Sequence, residues 1–126
     1  MPVRPSATDP AATKSAPARA RNEVALQGRV AAPPEERTLP SGDSLMTARL
    51  IIDRNASARE HSAQRVDTID CVAWTARVQR SMRSWQPGDE VLIAGSIRRR
   101  FYRGASGPVS RVEVEIHQAR RTSRAS

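Results

Sequence analysis

The chain has 126 residues and a formal net charge of +8, a length that suggests one domain. Its single cysteine, Cys71, excludes an intrachain disulfide scaffold, and no apolar run is long enough to cross a bilayer. The basic balance points to an anionic partner. Its arginine-rich make-up, with Lys14 the only lysine, is also what GC-rich coding produces, so position along the chain has to decide.

Residues 1–21 are rich in Ala, Pro, Ser, Thr and Arg, with Pro2, Pro5, Pro10 and Pro17 breaking any helix. Such a segment buries too little apolar surface to offset its ordering entropy, so a disordered basic tail is expected. It has no apolar stretch ahead of a cleavage site, unlike a signal peptide, and a cytoplasmic protein is the simplest expectation.

From Asn22 the pattern changes. Val24, Leu26 and Val30 alternate with polar or small residues as a first strand, with Gly28 where it can bend. Pro33-Pro34 ends it, and Pro40-Ser41-Gly42-Asp43 reads as a turn. Leu45 to Asp53 is a second strand with Met46, Ala48, Leu50 and Ile52 on one side; Asp53 to Gln64 is polar and reads as a long hairpin loop. Val66 to Trp74 is a third strand. Its alternation sends Ile69, Cys71 and Ala73 inward, and Thr68, Asp70, Val72 and Trp74 outward.

Val78, Met82 and Trp85 then fall on one helical face, stopped by Gln86-Pro87-Gly88-Asp89. Glu90 to Tyr102 is a fourth strand and Val109 to Ala119 a fifth. Three strands, a helix and two strands make an all-β chain of the OB-fold type, a five-stranded barrel with its helix between strands three and four. The domain is expected over 22–121, with a disordered tail over 122–126.

The end of the fourth strand, Ile97-Arg98-Arg99-Arg100-Phe101-Tyr102-Arg103, interleaves arginine with aromatic rings. Alternation puts Arg98, Arg100 and Tyr102 on one face, and Ile97, Arg99 and Phe101 on the other, inward parity. Charge beside a flat ring suits a phosphate backbone with a stacked base. Trp74 reads as an outward platform or as a residue packed under the helix or in a subunit interface. Asp70, on the same face, needs a neutralising arginine, for which Arg98 or Arg100 is the candidate. Arg29, Arg49 and Arg111 are further candidate phosphate contacts, while Arg54, Arg59 and Arg65 lie in the hairpin region, whose residues alone read as a solvated loop.

Several stretches resemble the bacterial single-stranded DNA-binding protein family. They are Asn22 to Val30, Pro34-Glu35-Glu36-Arg37, Leu39-Pro40-Ser41-Gly42, Asp70-Cys71-Val72-Ala73-Trp74, and Gly88 to Arg100, in family order and spacing. The resemblance implies an OB-fold, single-stranded DNA bound with little sequence preference, no catalysis, and a homotetramer, or a dimer through the first strand. It implies roles in replication, repair or recombination, and a nucleoid-associated place in the cytoplasm. It also implies stacking at Trp74 and Tyr102 and DNA contact by the hairpin arginines Arg54, Arg59 and Arg65, whereas Thr68 and the region of Ala56 lack the rings the family carries there, which lowers the expected affinity. The family's acidic tip has no counterpart in Arg120-Arg121-Thr122-Ser123-Arg124-Ala125-Ser126, so recruitment of repair enzymes is not expected.

Cys71, His61 and His117 have no metal-ligand spacing, and no phosphate-binding glycine loop or nucleophile elbow occurs. No cofactor, metal or catalytic constellation is expected. Two other readings stay open: an OB-fold interaction accessory of the replisome or primosome, and an RNA-binding OB domain.

Overall fold

The computed structural model describes residues 19–125. Most of the expected N-terminal tail, and Ser126, lie outside these residues. Eight elements run in order: β1 (Val24–Val30), β2 (Glu35–Thr38), β3 (Ser44–Asp53), α1 (Ala56–Arg59), β4 (Val66–Ala73), α2 (Ala76–Met82), β5 (Glu90–Gly104) and β6 (Gly107–Ser123). All five expected strands and the helix are present.

Five strands close into a ring in the order β1-β5-β6-β4-β3, and β1 completes it by pairing Arg29 with Ile51 and Val30 with Leu50 of β3. The β4–β6 pairing is parallel; the others are antiparallel. This is the OB-fold ring, with α2 between its third and fourth strands. Gly28 sits where β1 passes from β5 to β3. A side chain there would come within 2.5 Å of the Ile51 carbonyl oxygen, so the corner admits only glycine.

The inward alternation fills the interior as expected. Met46, Ala48 and Leu50 face Cys71 and Ala73 across the β3–β4 ladder, and Val91, Ile93, Val114 and Ile116 close the other side. Val78, Met82 and Trp85 plug the end of the ring from α2 and the turn after it. Thr75 caps α2 by accepting the Val78 N–H at 3.4 Å. The buried Gln79 amide donates to the Ser44 and Ala73 carbonyls at 3.0 and 3.1 Å, tying the helix to β3 and β4.

Four features depart from the sequence expectation. Strand β2 was not legible because Glu-Glu-Arg-Thr has no apolar alternation. It forms because the Leu39–Asp43 turn, with Gly42 at φ 94°, folds it back onto the β3 edge, and all four residues stay exposed. Within the polar loop after β3, Asn55 caps one helical turn, α1. Val72 keeps its outward parity, opposite Thr47, but is buried there, outside the interior cluster. Finally, Thr122 and Ser123 continue β6 instead of starting a tail. Ser123 pairs with Glu90, the Thr122 hydroxyl donates to the Glu90 carbonyl, and the Ala125 N–H donates to Asp89 at 2.8 Å. Backbone pairing carries this segment without apolar side chains, so composition held no sign of it. The N–H groups of Gln86 and Ala125 also hold the Asp89 carboxyl below the usual carboxylate range.

Candidate nucleic-acid interface

The outward faces of β3, β4, β5 and β6 form one continuous surface. Register places Arg49 opposite Asp70, Arg98 opposite Glu113, Arg100 opposite Arg111, and Tyr102 opposite Val109. A groove of about 500 Å³ runs over it, walled by Ala31–Pro33 and β2 and floored by Thr47, Arg49, Asp70, Arg100, Arg111 and Glu113. A second hollow of about 300 Å³, lined by Arg37, Arg100, Tyr102, Arg111 and Glu113, continues it onto the β5–β6 hairpin.

Charge on this face is organised as ion pairs, diagonal between β5 and β6 and direct between β3 and β4. Arg98 Nε lies 3.0 Å from Glu115, and Arg100 Nη1 lies 3.5 Å from the nearly buried Glu113. Asp70 is held by Arg49 at 3.1 Å and approached by Arg111 at 3.9 Å. The expected neutralisation of Asp70 by Arg98 or Arg100 is therefore corrected. Those two belong to the β6 carboxylates one register step away, and the residue directly opposite Asp70 is Arg49. Four arginines thus share three carboxylates, which orient and partly neutralise their guanidinium groups. The Arg111 guanidinium also sits 5.7 Å from the centre of the Tyr102 ring, within cation–π range.

The two aromatic candidates are both accessible but occupy different places. Tyr102 is 45% exposed and lines the hairpin end of the groove. Trp74, 41% exposed, stands one residue past β4, outside the groove lining. Extending the β3–β4 register by one residue sets Trp74 beside Leu45, whose partner on β2 is Arg37. Trp85, expected in the core, is buried.

The hairpin arginines do not converge on this groove. Arg54 makes a two-pronged contact with Asp67, at 3.1 and 2.9 Å, which raises its pKa further and makes it a brace of the β3–β4 hairpin. Arg59 ends α1 and Arg65 precedes β4; both are exposed, with no carboxylate partner among the described residues. Arg29 pairs with Asp53 at 3.0 Å across the β1–β3 closure.

Sequence reasoning overlooked Arg37. It lines both hollows and, among the described residues, has no carboxylate partner. The signal was its place in Pro34-Glu35-Glu36-Arg37, but with β2 unseen nothing indicated which way the side chain faced. Phe101 needs the opposite correction: placed on the inward parity, it is 77% exposed. The ribbon there has left the ring, so inward parity meets no core. Arg99 shares that face and escapes by donating to Ser110 Oγ at 3.1 Å.

Burial, helped by the Asp70 and Glu113 charges, pushes the Cys71 thiol up to about 12, so it stays protonated at neutral pH. Among the described residues no three His, Cys, Asp or Glu side chains are placed to hold a metal ion, and no helix is long and apolar enough to cross a membrane.

The profile of the single-strand binding protein family matches residues 21–122. The chain belongs to that family. It is 32% identical over 79 residues to a single-stranded DNA-binding protein of Deinococcus radiodurans, a match covering 62% of this chain and 26% of the relative, so the chain spans about a quarter of that protein. Its fold is similar to the solved structure of a Plasmodium falciparum SSB complex with ssDNA, with a TM-score of 0.66 and 21% identity over 82% of this chain and 94% of the other.

Proposed function

We propose that this family member binds single-stranded DNA without catalysis and with little sequence preference, along the groove between β2 and the β5–β6 hairpin. The observation that carries the reading is the joining of the exposed Tyr102 ring to an arginine-lined groove through Arg111. In this reading bases stack on Tyr102 and Trp74. Phosphates take Arg37 first, because it gives up no carboxylate, and Arg49, Arg100 and Arg111 by sharing theirs. Arg98 lies farther along the same face, while Arg59 and Arg65 offer peripheral attraction.

Stacking and charge are separable. A stacked base contributes about 1–3 kcal/mol and tolerates any sequence, and each neutralised phosphate on a single strand adds about −0.7 to the slope of log affinity against log salt. Trp74→Ala or Tyr102→Ala is expected to weaken oligothymidylate binding at unchanged salt slope, whereas Arg37→Ala flattens the slope by about 0.7. Equal slope losses in all three variants, or duplex DNA competing as well as a single strand, would refute the assignment. A role in replication, repair or recombination, and assembly as a homo-oligomer through β1, belong to the same reading. Light scattering that gives a monomer at micromolar concentration would remove the assembly.

A further inference from the structure

The β5–β6 hairpin has a second face. The Asn22 side chain closes the β5 edge at Ile97, donating to its carbonyl at 2.7 Å and accepting its N–H at 2.8 Å. Past Ile97, β5 pairs only with β6, and the β4–β6 ladder reaches no farther toward the hairpin tip than Val114. Residues 98–112 therefore stand as a two-stranded ribbon, about 10 Å wide, with both faces open.

On the face opposite Tyr102 lie Ile97, Arg99, Phe101 and Arg103 of β5 and Val112 of β6. Phe101 is the most exposed large apolar side chain among the described residues. The β6 partners of this face are Val114, Val112, Ser110 and Pro108, none of them acidic. Among the described residues neither Arg99 nor Arg103 has a carboxylate partner. The groove face is charge-paired; this one is not.

Resting on the function proposed above, we infer that this reverse face is a second single-strand contact, in which Phe101 stacks a base and Arg99 and Arg103 hold the flanking phosphates. The strand reaches it from Tyr102 by passing over the open ribbon edge, since Tyr102 and Phe101 are consecutive residues on opposite faces. Uncompensated guanidinium groups two residues either side of an exposed ring suit a polyanion carrying flat bases, and arginine can both grip phosphate and stack.

The test is a series of oligothymidylates from about 4 to about 30 nucleotides, titrated against the full chain and two variants, Phe101→Ala and the double change Arg99→Ser with Arg103→Ser. Both variants are expected to bind the shortest oligonucleotides like the parent and to lose at least about fivefold on the longest. Phe101→Trp is expected to show added fluorescence quenching only with the longer ones. Parent-like affinity of both variants at every length overturns the inference and leaves the groove reading standing if Trp74→Ala still weakens the short complexes. No binding of any oligonucleotide by the parent overturns both. A fall in assembly mass on Phe101→Ala without DNA overturns it too, because a second copy of the chain then covers this face.

Discussion

The two halves of β5 carry the same alternation and meet opposite fates. In the first half Val91 and Ile93 point into the ring and are fully buried; in the second Ile97 and Phe101 keep that parity and face water. Strand pattern is thus a statement about which side a residue takes, and only ring closure turns a side into a core. Between the halves lies Gly95, where the register with β6 shifts and an added Cβ would overlap the Glu115 carbonyl oxygen. The extra residue is His117 of β6, and a β-bulge bends the strand that carries it; β5 itself becomes a ribbon past Ile97, once its pairing with β1 has ended.

Substitutions in the two halves put that difference to the test. The largest effect is expected in the core: Ile93→Ala should cost about 2–5 kcal/mol of stability by denaturant unfolding, while Phe101→Ala should stay within about 0.5 kcal/mol. Comparable losses would mean that the hairpin is packed in solution. Gly95→Ala comes next, with an expected cost of about 1–3 kcal/mol from overpacking against the Glu115 backbone; a neutral result would show that β6 can shift away from β5 at this point.

A smaller effect separates the paired groove from the open face. Glu113→Gln frees Arg100 from its carboxylate, so single-strand affinity should rise and the salt slope steepen by about 0.7, read by fluorescence titration at several salt concentrations. An unchanged slope would mean that Arg100 meets no phosphate. The smallest is a pH effect at the far end of β5. Because the Asp89 carboxyl is held below its ordinary value, its contribution is full above the unfolded-state pKa and lost as pH falls through the lower native one. Unfolding midpoints tracked through the acid range should show a limb that Asp89→Asn flattens; identical profiles would remove Asp89 as the clasp of the C-terminal segment.

Much of this architecture could be read along the chain, and the reasons differ by element. β1, β3 and β4 each bury one face, so apolar residues at period two mark them. α2 announces itself by Val78, Met82 and the stop at Gln86-Pro87-Gly88. β2 buries nothing and exists only because a turn lays it against β3, so no periodicity could reveal it, and the orientation of Arg37 was hidden with it. For the candidate site, the sequence singled out Trp74, Tyr102, Arg49, Arg100 and Arg111, because interleaved charge and rings on an outward parity are local facts. Arg54 looked identical in sequence and proved to be a brace, because Asp67 is its neighbour only once β3 and β4 are paired.

The succession of five strands and one helix along the chain, most of the inward set of each, and the family to which the chain belongs could be known without coordinates, because they depend on spacing along one chain. Folding had to occur before arginines were matched to carboxylates, before the ring had an end, and before Phe101 stood in water. Those outcomes depend on cross-strand register and closure, which place side chains together that lie far apart in the chain.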